Sequence, residues 1–298
     1  MPLPLAYCAS APLLLGLLAA SLCVLAARAG EPDADGTNDT AAPNNAKPDR
    51  KLVYREVDGV KLEFFIFEPP GHKPADARPA LVFFHGGGWR KGDPSQFYWQ
   101  ARYLSGRGMV CFSARYRLIP NVSKVEACIE DAKAAVAYIR AHAAELGVDP
   151  AKLAAGGGSA GGHLAAACAV TAGAPAPGEA SCRPDLLVLF NPALFHPAAQ
   201  GTLKLEQFTK ETPPAIFFLG TEDDMLNYAK DCLARSKQLG NEVRVFTAAD
   251  QGHGFFNKPP WRESTTLEAD RFLARHGYLQ GEPTLAAPPA GALQEAKE

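Results

Sequence analysis

The run Gly157-Gly158-Ser159-Ala160-Gly161 places a serine in a G-x-S-x-G spacing directly after the apolar stretch Leu153–Ala155. That pattern belongs to a strand that turns sharply into a helix and leaves the central hydroxyl exposed. Side chains two residues either side would clash in so tight a turn, and Gly157 and Gly161 meet the requirement. A serine hydroxyl is a weak nucleophile until a base takes its proton and a third group orients the base. His253, in Gln251-Gly252-His253-Gly254-Phe255-Phe256, follows the apolar run Val243–Phe246 and suits the base. Gly220-Thr221-Glu222-Asp223-Asp224 follows Ile216–Leu219 and offers the acid, Asp223 in preference to Asp224. A second glycine run, His85-Gly86-Gly87-Gly88, follows Leu81–Phe84, and its bare peptide N–H groups can approach an oxygen with no Cβ in the way. The N–H after the serine, that of Ala160, can join them. The chemistry these residues support is nucleophilic acyl transfer with a stabilised oxyanion.

Each of these groups needs a rigid element beneath it. Tyr54–Val57 and Leu62–Phe67 enclose Asp58-Gly59, the signal of an antiparallel hairpin. Leu81–Phe84, Met109–Ala114, Leu153–Ala155, Leu186–Phe190, Ile216–Leu219 and Val243–Phe246 are continuous apolar runs, as expected of strands buried on both faces. Helical spacing is read over Val125–Leu146, Leu164–Thr171, Tyr228–Leu239 and Thr265–His276. The alternation implies an α/β fold with a mostly parallel, doubly wound sheet after an antiparallel lead-in. Such sheets carry their sites at the carboxyl ends of the strands, which is where every motif above falls.

Composition narrows the field. With 30 Lys and Arg against 32 Asp and Glu the net charge is −2, and no basic stripe interleaved with aromatics marks a nucleic-acid surface. None of the seven histidines sits in a His-Glu-x-x-His or other metal spacing, and the cysteines form no Cys-x-x-Cys, so no metal is expected. Gly156, Gly158 and Gly161 imitate the dinucleotide fingerprint, but they come late in the chain and the nearest acid, Glu179, lies in a loop rather than at a strand end. No cofactor is expected. Leu13–Ala27 is too short to span a bilayer and precedes Ala27-Arg28-Ala29, so residues 1–29 read as a signal peptide cut after Ala29, with an uncleaved anchor as the alternative. Export and no lasting membrane association follow from that reading. Residues 30–50 read as a disordered linker, 51–280 as the folded unit and 281–298 as a disordered tail. Cys168 and Cys182, flanking a Pro/Gly-rich loop, are read either as a disulfide or as free buried thiols.

His85-Gly86-Gly87-Gly88-Trp89, Tyr116-Arg117-Leu118, Gly157-Gly158-Ser159-Ala160-Gly161-Gly162-His163 and His253-Gly254-Phe255 together resemble the α/β-hydrolase superfamily. The likeness is to its acetyl-esterase/carboxylesterase branch, which includes hormone-sensitive-lipase-like enzymes and small feruloyl or acetylxylan esterases, and it covers roughly 51 to 279. Gly158 stands where the hormone-sensitive-lipase branch carries Asp, and Arg115 where it carries another; both departures favour the feruloyl/acetyl-esterase side. The resemblance implies an α/β-hydrolase fold and a triad of Ser159, Asp223 and His253. It also implies an oxyanion hole from Gly86, Gly87 and Ala160, and hydrolysis of short-chain esters, with acetylated or feruloylated carbohydrates among the substrates. The segment between Asn191 and Pro213, where larger relatives insert lids, is short, so a minimal lid is expected. Trp89 and Phe255 are read as substrate-lining, with Phe97, Tyr98 and Trp99 nearby and core packing as the alternative. A peptidase or amidase of the prolyl-oligopeptidase type, or a hydrolase-fold binding protein without activity, are the competing readings.

Overall fold

The computed structural model describes residues 46–296 apart from Pro120 and Ser123. The predicted signal peptide, and most of the predicted linker, lie outside the described residues. The elements run β1 (Arg50–Val57), β2 (Val60–Phe67), β3 (Arg78–Phe84), α1 (Tyr98–Gly106), β4 (Val110–Ala114), α2 (Val125–Ala141), α3 (Ala143–Leu146) and β5 (Val148–Gly158). They continue with α4 (Ala160–Val170), β6 (Leu186–Phe190), β7 (Ala215–Gly220), α5 (Leu226–Leu239), β8 (Val243–Ala248), α6 (Trp261–Arg275) and β9 (Gln294–Glu295). All nine strands form one sheet in the order β1-β2-β4-β3-β5-β6-β7-β8-β9. β1, β2 and β4 pair antiparallel, β4 through β8 are parallel, and β9 returns antiparallel along β8. This is the α/β-hydrolase fold.

Alternation along the strands explains why the apolar runs are unbroken. In β3, Ala80, Val82 and Phe84 enter the core on one face, while Leu81 and Phe83 enter the core on the other. The first face is covered by α2, α4 and α5 through Val136, Ile139, Leu164 and Cys232. The second is covered by α1 and α6 through Ala101, Leu104, Phe272 and Leu273. The opening hairpin turns at Asp58 (φ 52°) and Gly59 (φ 75°), the two left-handed residues that a tight turn between right-twisted strands requires.

Several boundaries differ from the sequence reading. The helix read as Val125–Leu146 breaks at His142 (φ −104°, ψ 22°), which lets Ala143 and Leu146 bury beside β5. α4 begins at Ala160, four residues early, because its glycines are helical first-turn residues rather than loop. Helix α1 carried no clear apolar period, since the positions it buries include Gln100 and Ser105. The stretch after Gly281 is not a structureless tail throughout: Gln294 and Glu295 pair with Thr247 and Phe246, and Arg244 grips Glu295 with contacts of 2.7 and 2.9 Å. The outer edge of β8 gives a Pro- and Ala-rich segment backbone partners that composition alone does not reveal. The linker likewise ends sooner, since Asp49 donates its N–H to Ile66 O (2.8 Å) and pairs with Arg102. Between β6 and β7 the chain makes only two single 3-10 turns, Pro197–Ala199 and Leu205–Gln207. The five described cysteines are all unpaired, Cys168 and Cys182 included. Among the described residues, no helix is long and apolar enough to cross a membrane.

Candidate active site

Ser159 stands between the last residue of β5 and the first of α4, at φ 50° and ψ −117°. A non-glycine residue held at positive φ costs of order 1–3 kcal/mol and persists only where its surroundings dictate it. Here they do. Ser159 N–H donates to Phe190 O (2.9 Å), and Ser159 O accepts from His163 N–H (3.0 Å) and Ala193 N–H (3.1 Å). A Cβ on Gly157 would lie 2.4 Å from Phe84 O, and one on Gly161 2.0 Å from the same oxygen. The two flanking glycines therefore admit the end of β3 against the turn.

The loops after β7 and β8 close on this turn. Gly220 packs so tightly against the histidine loop that a Cβ would sit 1.9 Å from Gln251 O, and Glu222 N–H donates to that oxygen (2.9 Å). The result is a linear series. His253 Nε2 lies 2.9 Å from Ser159 Oγ, and its Nδ1 lies 3.1 Å from both carboxylate oxygens of Asp223. Asp223 has a side chain only 1% exposed, whereas Asp224 is exposed and the His253 imidazole pairs with Asp223. Met225 N–H donates to Asp223 Oδ1 (2.9 Å) and Asn191 Nδ2 to Oδ2. Burial pushes the Asp223 carboxyl up, but hydrogen bonding and charge attraction from His253, with the Met225 and Asn191 donors, outweigh it and hold the group below its ordinary value. An ionised acid beneath Nδ1 sets the tautomer in which Nε2 is bare and can accept the serine proton.

The glycine loop requires a correction. Gly86 N–H, read from sequence as an oxyanion donor, is already given to Gln96 Oε1 at 2.7 Å. The amides of Gly87 and Gly88 donate to nothing among the described residues, and Ala160, opening α4, has no intrahelical acceptor for its N–H. The free amides of this rim are thus Gly87, Gly88 and Ala160. His85 Nδ1 contacts Gly86 O at 2.7 Å and thereby fixes the Gly86–Gly87 peptide, whose N–H points the opposite way. Burial lowers the His85 pKa to about 4, so the ring is neutral and serves as a brace rather than a base; it stacks on Tyr116, whose hydroxyl donates to His85 O (2.8 Å).

Neither residue read as substrate-lining presents an open ring. Trp89 is 2% exposed and stands edge-on to His163 (5.1 Å), and Phe255, 6% exposed, stands edge-on to Trp261 (5.7 Å). Both are amphipathic or apolar bodies in a region where core and rim interpenetrate, so type alone did not separate packing from binding. Phe97 is wholly buried and stacks on Phe83 and Phe256; Tyr98 packs on Phe65 and Phe67, and Trp99 lies under Arg262. Sequence reasoning passed over Asn191, Gln96, Asn257 and Gly88. Asn191, at φ 45° directly after β6, is the one whose position after a strand carried a usable signal. No cluster of three or more metal-binding side chains occurs among the described residues.

Comparison with known proteins adds to this geometry. The BD-FAE family profile matches residues 66–181. The chain is similar to Thermogutta terrifontis esterase 2, with 36% identity, a TM-score of 0.75, and coverage of 82% of this chain and 100% of that one. That esterase has been solved phosphoramylated by tabun, phosphorylated by paraoxon and with propionate or butyrate bound. Carboxylesterase NlhH of Mycobacterium tuberculosis (strain H37Rv) is 32% identical over 181 residues, which are 58% of this chain and 52% of NlhH. An AB hydrolase superfamily protein of Schizosaccharomyces pombe is 38% identical over 102 residues, 34% of this chain and 30% of that protein. The chain thus spans between about a third and about a half of the length of these two curated relatives.

Proposed function

The chain belongs to the esterase branch of the α/β-hydrolase superfamily, and from that premise we propose that it hydrolyses short-chain carboxylic esters through an acyl-enzyme on Ser159. The observation that carries the proposal is the unbroken series Asp223–His253–Ser159, with 2.9 Å between the base nitrogen and the hydroxyl. Ser159 Oγ attacks the ester carbonyl carbon while His253 Nε2 takes its proton. The imidazolium so formed is stabilised by the Asp223 carboxylate, and the carbonyl oxygen, now an oxyanion, is held by the amides of Gly87, Gly88 and Ala160. Losing one such donor raises the barrier by about 3 kcal/mol in comparable sites. His253 then protonates the departing alkoxide as the carbon–oxygen bond breaks. A water, deprotonated by the same imidazole, releases the acid and restores the hydroxyl. No cofactor enters this scheme.

Acetyl, or feruloyl, esters of carbohydrates are the proposed substrates. The segment between β6 and β7 is short and carries only two single 3-10 turns, and the Thermogutta esterase has been solved with propionate and with butyrate bound. We further propose export, directed by residues 1–29 and completed by cleavage after Ala29.

Purified protein is expected to turn over p-nitrophenyl acetate faster than longer acyl esters. Ser159→Ala should lower kcat by about 10⁴-fold or more, and paraoxon should inactivate the wild type at one equivalent. Equal turnover by wild type and Ser159→Ala refutes the nucleophile. Cleavage of p-nitroanilides without cleavage of esters replaces the esterase by a peptidase. A panel of acetylated xylan and feruloyl esters decides the alcohol partner. Export is checked by the N-terminus of the secreted protein, expected at Gly30; retention of residues 1–29 refutes cleavage.

A further inference from the structure

We infer that Gln96 and Asn257 are positioning residues that tie the glycine loop to the histidine loop, so that oxyanion donors and base are held as one unit. This rests on the esterase reading above and concerns two residues to which that reading gives no part. Gln96 Oε1 accepts from Gly86 N–H at 2.7 Å, and Gln96 Nε2 donates to Asn257 Oδ1 at 3.2 Å. Asn257 Nδ2 donates to Gly254 O at 2.9 Å, and Asn257 N–H donates to the same oxygen at 3.1 Å. Gly254 directly follows His253, and Gly86 directly precedes Gly87. Two side chains 161 positions apart thus join the two loops that must converge on one reacting carbon.

The polarity of this chain of bonds is fixed from both ends. A backbone N–H can only donate, so Gln96 must turn its oxygen to Gly86 and its NH₂ to Asn257. A backbone carbonyl can only accept, so Asn257 must turn its NH₂ to Gly254 and its oxygen to Gln96. Flipping either amide breaks two bonds at once, so one arrangement is selected among four. The residues next in sequence reinforce it from below. Phe97 and Phe256 stack on each other at 5.7 Å and 16°, and Phe256 abuts Gly158, where a Cβ would lie 2.6 Å from its ring. Asn257 is buried and Gln96 half-buried, so water competes weakly for these bonds. A bridge of this kind matters most when charge develops on the oxyanion, because donors and base must then be in register together.

The test uses full-length wild type, Gln96→Ala, Asn257→Ala, the double variant and Gln96→Glu, with p-nitrophenyl acetate as substrate. Each alanine variant is expected to lower kcat about tenfold, the worth of one well-placed hydrogen bond, with KM changed less than about twofold. The double variant should lose no more than the worse single one, since either cut severs the same chain. Inhibition by phenylboronic acid, which forms a tetrahedral adduct on the serine, should weaken by the factor lost in kcat/KM. Gln96→Glu guards against a failure to fold: it keeps the acceptor for Gly86 and removes the donor to Asn257, and its kcat should match that of Asn257→Ala. Wild-type kcat in Gln96→Glu, losses that multiply in the double variant, or unchanged boronate affinity in the alanine variants would each overturn the inference. Failure of the esterase reading is distinguishable, because it shows in the wild type and in Ser159→Ala.

Discussion

The two halves of the site are built by different means. Around Ser159, position is imposed mainly by the backbone: Ser159 is pinned at a positive φ by three main-chain hydrogen bonds, and two glycines admit Phe84 O, at the root of the glycine loop, where no Cβ fits. Around Asp223 and His253, side chains carry more of the positioning: Asn191 holds the acid beside the main-chain donor Met225 N–H, the acid holds the base, and Asn257 holds the loop behind it. A backbone-built half has no graded response to substitution, because the atoms in the way are main chain and cannot rotate aside. A side-chain-built half can lose one bond and keep the others. The contrast explains why the first half announces itself through glycines and the second through no motif as dense.

The largest effect expected is that of Asp223→Asn, a fall in kcat of about 10⁴-fold through the wrong histidine tautomer, set against Asp224→Asn, whose exposed side chain should leave kcat unchanged. Steady-state kinetics on both variants decide the acid, and a large loss in Asp224→Asn would undo the assignment. Next comes Gly161→Ala, the direct probe of the backbone half. Its Cβ would meet Phe84 O at 2.0 Å, and a shift of the elbow by an ångström costs about 10² in kcat, with a lower melting temperature as companion. Near-wild-type kinetics in this variant would erase the distinction between the halves. Asn191→Ala should be milder, about tenfold in kcat, since Met225 N–H and His253 still hold Asp223. A loss as deep as that of Asp223→Asn would mean that the acid-bearing half is no more forgiving than the other.

The smallest effect on turnover, none at neutral pH, goes with a change in acid stability. Burial lowers His85 to about 4 and His163 to about 3, and both lie in the backbone-built half. Their folded values are depressed, so the unfolded chain binds protons first, near pH 6.5. The stability tied to their neutral rings is complete above that pH and is lost as pH falls toward the folded values. Each contributes about 1.4 kcal/mol per pH unit to the slope in that window. Urea unfolding of His163→Gln between pH 6.5 and 4 should therefore show a shallower slope by that amount, and an unchanged slope would contradict a neutral, buried His163.

Legibility in the sequence followed the same division. The parallel strands were readable because residues such as Leu81, Val82 and Phe83 alternate between two buried faces and leave no polar break. Ser159 and the closeness of its surroundings were readable because only glycine fits at 157 and 161. The helix α1 was not, since Gln100 and Ser105 occupy buried positions that an apolar period cannot register. Gly86 was misassigned because three consecutive glycines look alike until a side chain ten residues on takes one amide. Trp89 and Phe255 are ambiguous in sequence because a large ring beside a site reads the same whether it faces the substrate or the core. Asn191, Gln96 and Asn257 act through partners distant in the chain, and single polar residues in loops carry no spacing that predicts a partner.

The two rims of the sheet are finished differently. At one, β1 is outermost and carries Arg50, Lys51, Arg55 and Glu56, charges that discourage another strand from docking. At the other, β8 would offer a bare ladder of N–H and C=O groups, and only the two-residue strand β9, clasped by Arg244, occupies it. Shortening the chain before Gln294 would leave that ladder open to a neighbouring molecule, so self-association at high concentration, rather than loss of turnover, is the natural failure of such a truncation.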